Sequence, residues 1–577
     1  MSFRHVLQSE NLYDTSAPGA PDPPVTCDPH WVYARRSEGT CNNLQRPEMG
    51  AGGQRFGRNV PRQFTFPEPA IMAPSPRVVS QRLLARESFR PAESLNLLAA
   101  AWIQFQTHDW FSHERGTPAA DDFRVPLDRN DNWPGGSTMR IPRTPPDPTR
   151  RPEESEMPPT YRNRESHWWD ASQIYGNSEE ETQALKNARD PGKLEIEGKA
   201  HLLPTDPTTG RPRTGFSDNW WVGLALLHTL FAREHNAIFD HLRRQYPYWS
   251  KDQLFDTARL INTALMAKIH TVEWTPGILA HPTLKIAMNA NWWGLAGEGI
   301  RKLCGRISDN VIISGVPGSA TELHGVPFAL TEEFVSVYRL HPLIPDKLRF
   351  YRVTDGAHLK DLDFPDVAFE KAGHLLDDGT TMEDIFYSFG ISHPGAITLH
   401  NYPSFLRKLE MRDEQNNLLK DDQGNQVYLD LASVDIMRDR ERGVPRYNEF
   451  RRLLHKPPVT TFEEITSNRI WAQELKEVYG GDVNRVDVMV GMFAEDLPAG
   501  FGFSDTAFRI FILMATRRLE ADRFFSSDFR PEIYTPAGLE WINNNDMKSV
   551  LLRHYPELRP ALREVNNAFA PWQVIAG

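Results

Sequence analysis

Tyr338-Arg339-Leu340-His341-Pro342-Leu343-Ile344-Pro345-Asp346 is the stretch whose reading decides the fold. It follows Thr331-Glu332-Glu333-Phe334-Val335-Ser336-Val337, in which Thr331 has the chemistry of an N-cap and two acids occupy the first turn. Apolar residues then recur at helical spacing, and Pro342 disfavours α-helix from His341 onward. The spacing predicts Tyr338 and His341 three apart on the last turn of a helix, on one face. A phenol and an imidazole presented together suit redox chemistry, because imidazole is a strong metal ligand and a phenol can give up one electron. Taken alone, the pair fits equally a buried tyrosine beside a histidine whose hydrogen bonds are satisfied, so the rest of the chain has to decide.

Working outward, the 577 residues are 40% hydrophobic and include fifteen tryptophans, enough to bury a large core and to exclude disorder for most of the chain. Length alone suggests two to four domains, a count that falls if the functional residues are scattered along one span. A net charge of −11 argues against nucleic acid as a partner, since phosphate binding needs a basic surface. Three cysteines, Cys27, Cys41 and Cys304, cannot build a disulfide framework or a Cys-based zinc site; one Cys27–Cys41 bridge is conceivable. No basic-then-apolar leader opens the sequence, and the longest apolar run, around Trp220–Ala232, is too short to span a bilayer. The expectation is a soluble, cytoplasmic monomer with at most weak peripheral membrane contact.

Residues 1–80, rich in Pro and Gly, read as an extended arm lying on the core, and Gly50-Ala51-Gly52-Gly53 within it as a turn rather than a phosphate loop. Residues 81–577 read as one catalytic domain, all-α in class. Ser94–Trp110 is expected to be an apolar helix on which Gln104 and His108 share a face while Asp109 is turned roughly 100° away. Residues 115–160, with ten prolines, read as a long irregular loop. It runs into Ser166-His167-Trp168-Trp169-Asp170-Ala171-Ser172. There, oxygens of Ser166, Asp170 and Ser172 with the Trp168 carbonyl alternate along an extended segment and can converge on a hard cation, as they would equally fit an ordinary Ser/Asp turn. Trp220–Leu242, Lys251–Trp274 and Ser504–Phe525 read as further helices, residues 400–430 as a charged loop, and Met437–Asn448 as a charge-dense turn into another helix.

Two histidines on separate helices, each with a polar or redox companion, fit a haem held between a distal and a proximal helix, and the lack of a Cys-x-x-Cys-His motif excludes a c-type attachment. At this point WIQFQTHDW, SHWWDASQIYG, LLHTLFAREHN, AKIHTVEWT, VYRLHPLIPD, RDRERGVPRYNEFRR and ATRRLEADRFF, in that order over about residues 90–550, resemble the animal haem peroxidase and cyclooxygenase superfamily, and within it the fatty-acid α-dioxygenases.

The resemblance implies the following roles. His341 is the proximal ligand of haem b, and His108 the distal histidine with Gln104 beside it. Asp109, Ser166, the Trp168 carbonyl, Asp170 and Ser172 form a calcium site. Tyr338 is the radical that takes hydrogen from C2 of a long-chain fatty acid, after peroxide has activated the haem. O₂ then adds to give the 2-hydroperoxy acid, which can decarboxylate to an aldehyde one carbon shorter. His270, Thr275 and one of Arg517 and Arg518, here Arg518, hold the carboxylate; helical spacing also allows Arg518 an i,i+4 pair with Asp522. Where myeloperoxidase-like enzymes carry an acid before the distal His, and an Arg and a Glu-Met pair upstream of the LHTL motif, this chain has Thr107, Ser217 and Trp220-Trp221, so the haem is expected to be non-covalent and peroxidase turnover weak. Asp435 stands where the peroxidases have an Asn near the proximal His. The alternatives are a mid-chain fatty-acid dioxygenase or H₂O₂-dependent peroxidase, and a non-catalytic haem-binding protein.

Overall fold

A computed structural model describes residues 2–17, 24–116, 121–134, 138–197, 202–376, 379–412, 417–420 and 424–575. Helices dominate, and eight of them position the site: α1 (Ser2–Glu10), α2 (Leu97–Trp110), α3 (Val222–Gln245), α4 (Lys251–Ile269), α5 (Glu332–Val337), α6 (Met382–Ile391), α7 (Leu431–Glu441) and α8 (Asp505–Ala521). α2 is buried at every position except Gln104 and Thr107, as its all-round apolar sequence requires. It packs on α3 and α6, while α3 packs on α4 and α5 on α8. One continuous apolar core runs from Leu7 to Trp572.

Among the described residues, strands form three two-stranded antiparallel ribbons: β1 (Phe123–Pro126) with β2 (Thr138–Ile141), β3 (Lys347–Tyr351) with β4 (His358–Asp363), and β5 (Leu409–Glu410) with β6 (Tyr428–Leu429). The first corrects the reading of 115–160 as wholly irregular. Phe123 and Val125 alternate inward with Met139 and Ile141 and cover Val434 and Met437 of α7. Four residues of alternation on each side of a loop are too few to stand out among ten prolines. The third ribbon likewise adds a short pairing within residues 400–430.

The first 80 residues do not simply extend, since α1 opens them. Their described parts lie on the core through long-range polar contacts: Gln8 Nε2 to Glu520 Oε2 at 3.0 Å, Arg35 Nη2 to Asp522 Oδ2 at 2.8 Å, and Arg58 Nε to Glu333 Oε1 at 2.9 Å. Gly50 turns as expected, with φ +72°, and a Cβ there would stand 2.6 Å from the Trp168 ring, so only glycine lets the arm approach that side chain. Cys27 and Cys41 are bonded, their Cα atoms 5.7 Å apart. Among the described residues no helix is long and apolar enough to cross a membrane.

Candidate active site

α5 begins as the sequence predicts: Thr331 Oγ1 accepts from the Phe334 N–H at 3.1 Å. It ends earlier. Tyr338 is its C-cap residue, and His341 opens a separate 3₁₀ turn, His341–Leu343. Pro342 excludes α geometry at His341 and supplies no N–H of its own, so the chain tightens there. The phenol and the imidazole are therefore presented from two successive turns, not from one helical face.

His341 places Nδ1 2.9 Å from Asp435 Oδ2 on α7, at an angle skewed from a linear hydrogen bond. That carboxylate oxygen also accepts from Tyr402 O–H at 2.8 Å. Burial pushes the Asp435 carboxyl up, but His341, Arg339 and the Tyr402 hydrogen bond outweigh it and hold it below the usual carboxylate range. Asp435 is thus an ionised neighbour facing the imidazole, as carboxylates often do beside metal-bound histidines. The His341 side chain is 33% exposed although Leu340, Pro342 and Leu343 around it are buried.

On α2, Gln104 Oε1 accepts from Trp221 Nε1 at 2.8 Å, and its Nε2 donates to the Asn219 carbonyl at 3.3 Å. His108 lies against Phe216, its Nδ1 buried without a partner, and burial lowers its pKa to about 4, so the ring is neutral at pH 7. A neutral His108 with an unpartnered Nδ1 and a part-exposed His341 imidazole fit the pair of histidines a haem would need.

One residue on, Asp109 is turned about 100° from His108 and meets a separate cluster. Its Oδ1 accepts from the Ser172 N–H at 2.6 Å, and its Oδ2 is buried without a partner. Asp170 Oδ2 accepts from Ser166 Oγ at 2.7 Å, and Ala171 between the acid and Ser172 holds φ +63°. Burial raises both carboxyls, and for Asp109 the neighbouring Asp170 adds to the rise. Two buried acids and an orphaned oxygen in a cluster of hydroxyls fit a hard divalent cation. Trp168 is anchored beside it, its indole donating to the Gly39 carbonyl at 3.0 Å. Among the described residues no group of three or more His, Cys, Asp or Glu could hold a metal.

α4 does not run to Trp274 as a regular helix. It widens into a π turn, His270–Trp274, before a short helix from Thr275. The extra residue brings His270 and Thr275 onto one side five apart, and both the Thr275 N–H and its Oγ1, at 2.8 Å, donate to the His270 carbonyl. Arg518 of α8 reaches the same place. Its guanidinium lies 3.8 Å over Trp110 and 4.2 Å over Trp169, with Nε and Nη2 unpartnered, and burial lowers its pKa to about 10. The i,i+4 pair with Asp522 does not form, because Asp522 is taken by Arg35 from the arm. Arg517 leaves on another side and donates to the Val326 and Pro327 carbonyls at 2.8 and 3.0 Å.

Trp110 joins these groups. Its ring stands edge-on to Tyr338 at 5.3 Å and to His270 at 5.3 Å, under Arg518. Burial keeps the Tyr338 phenol above its ordinary pKa against the opposing pull of Arg518. The roles of Trp110 and Trp169 are not legible from spacing, the only sequence signal being that they adjoin Asp109 and Trp168 in two of the quoted motifs; Asp435 was singled out by the resemblance, with its role left open.

With the geometry in place, the family model for animal haem peroxidase matches residues 34–567. Alpha-dioxygenase PIOX of Oryza sativa subsp. japonica is 37% identical, with 99% of this chain and 90% of that protein covered. Alpha-dioxygenase 1 of Arabidopsis thaliana is 36% identical, with 99% and 88% covered. Among solved structures, a tyrosine-to-phenylalanine variant of Oryza sativa fatty acid alpha-dioxygenase with palmitic acid superposes with a TM-score of 0.91 at 35% identity, over 99% of this chain and 92% of that one. A Dictyostelium discoideum peroxidase, at 22% identity and a TM-score of 0.68, shares the fold. The chain belongs to the animal haem peroxidase family and, within it, to the alpha-dioxygenases.

Proposed function

We propose that this protein is a haem-dependent fatty-acid α-dioxygenase. The observation that carries the reading is Arg518: a buried guanidinium with two unpartnered nitrogens, in one aromatic cluster with Tyr338 and His270. A buried unpaired cation is costly to keep unless an anion completes it. A carboxylate bound there leaves its α-carbon as the atom closest to the charged end, and therefore to Tyr338.

His341 would hold haem b non-covalently, with His108 and Gln104 lining the same site, and the haem would supply one-electron oxidation once activated by peroxide. Asp435 orients His341. The Tyr338 phenol, kept protonated by burial, acts by losing a whole hydrogen atom. As a phenoxyl it takes the hydrogen at C2 and becomes a phenol again; O₂ adds at the carbon left behind, and the resulting peroxyl radical takes a hydrogen atom back from the phenol, giving the 2-hydroperoxide and restoring the phenoxyl. His270, Thr275 and Arg518 fix the register, the Thr275 hydroxyl turning from the His270 carbonyl toward the ligand. Relatives named alpha-dioxygenases, and palmitic acid in the rice structure, support a long-chain acid as substrate. Incubation of purified protein with palmitate and O₂ is expected to give the 2-hydroperoxide by mass spectrometry; oxygen inserted mid-chain, or none, would overturn the reading.

Arg518→Ala is expected to raise KM for fatty acids with little change in the haem spectrum. A charge-assisted bond to a buried carboxylate contributes about 2–3 kcal/mol, which is about 30- to 150-fold in binding. The same rise in Arg517→Ala, with Arg518→Ala unaffected, would reverse the assignment within the pair.

The reading includes calcium at Asp109, Ser166, the Trp168 carbonyl, Asp170 and Ser172. Because Asp109 adjoins His108 on α2, chelation, or Asp170→Ala, is expected to lower both Tm and haem retention. Elemental analysis finding fully active protein without calcium would remove the site.

We also propose residues 81–577 as one catalytic domain bearing the arm, working as a monomer with at most weak peripheral lipid contact. In a cytoplasmic setting the Cys27–Cys41 pair would meet reducing conditions and open.

A further inference from the structure

α2 has a second face beside the one that carries Gln104 and His108. Ala99, Trp102, Gln106 and Trp110, at i, i+3, i+7 and i+11, follow one stripe. That stripe holds the aromatic cage around His270. The Ala99 carbonyl accepts from Trp274 Nε1 at 2.9 Å, Gln106 Oε1 accepts from Trp169 Nε1 at 2.8 Å, and Trp102 Nε1 stands 3.1 Å from His270 Nδ1.

An indole N–H donates and cannot accept. The nitrogen facing it must carry a lone pair, so the one proton of a neutral His270 sits on Nε2. Burial, with the Arg518 charge added to it, holds this imidazole well below its ordinary range, and the ring is neutral. It is also fixed in orientation: stacked on Trp274 at 4.7 Å and met edge-on by Trp110 at 5.3 Å and Trp169 at 5.2 Å. The opposite tautomer would turn a lone pair toward any carboxylate beside Arg518.

We propose that Trp102 is a positioning residue for substrate: its indole N–H locks His270 as the Nε2–H tautomer, the form that donates to a carboxylate. This rests on the proposed carboxylate role of His270 and Arg518. Arg518 supplies charge and His270 a neutral, directed donor, so the site gains a second hydrogen bond without a second buried cation.

The test is a double-mutant cycle on haem-loaded enzyme with palmitate. Trp102→Phe keeps an aromatic ring in the cage and removes the N–H. It is expected to raise KM about tenfold, the loss of one such bond, with kcat within about twofold and the Soret band unchanged. In the His270→Phe background the same substitution is expected to change KM by less than about twofold, because there is no tautomer left to set. An unchanged KM in Trp102→Phe, or an equal rise in both backgrounds, would overturn the proposal and leave Trp102 as packing. If His270→Phe itself leaves KM unchanged, the carboxylate assignment fails instead. Should Trp102→Phe not fold, the Raman difference between native protein and His270→Phe still decides: loss of Nε2–H marker bands is expected, and loss of Nδ1–H bands would overturn the lock.

Discussion

Tyr338→Phe is expected to bring oxygen uptake with fatty acid to background while haem content and spectrum stay near normal. The ring keeps its place against Trp110 and Phe334, so the aromatic packing at the end of α5 survives. His341, on the next turn with Asp435 beside it, is untouched. What disappears is the phenolic O–H, the group beside Trp110 and Arg518 that can carry an unpaired electron. No acid–base residue replaces it, because a C2–H next to a carboxylate is far too weakly acidic for any general base working near pH 7. Slow reaction of the haem with added peroxide should persist. Product formation above a few per cent of the native rate, read by oxygen electrode and mass spectrometry, would overturn the radical mechanism.

His341→Ala is expected to abolish stable haem binding. On the proposed ligation the haem loses the imidazole that would hold it, and the ionised Asp435 faces a cavity where the imidazole stood. Asp435 keeps its Tyr402 hydrogen bond at 2.8 Å and Arg339 at 3.7 Å, so the fall in stability should be that of the cavity and of the lost cofactor. The Soret band of purified variant measures the first effect and thermal unfolding the second. Added imidazole, which can enter the cavity and supply the missing nitrogen, should restore part of the Soret absorbance. A full native spectrum without it would sink the ligand assignment.

How far these residues could be read from sequence depends on how local their causes are. Thr331 caps the helix it precedes through a hydrogen bond three residues on, and it was legible. The stripe on α2 follows from a fixed 3.6-residue period, so Gln104 and His108 facing away from Asp109 was legible too. The π turn at His270–Trp274 was not, because no residue type demands it; the packing of the cage does. Arg518 and Asp522 are at helical spacing, yet the carboxylate goes to an arginine 487 positions earlier, and nothing local announces that competition. Asp435 meets His341 across two elements for the same reason.

The arm's partners set the timing of assembly. Gln8 and Arg35 are made well before Glu520 and Asp522, to which they bond and which lie 512 and 487 residues downstream. At roughly 5–20 residues per second, that separation is an interval on the order of 25–100 s. Throughout it Leu7, buried in the finished protein on the helix that packs against α8, lacks that surface to enter. It is a site a holding chaperone would have to cover. The last long helix made is what fastens the first.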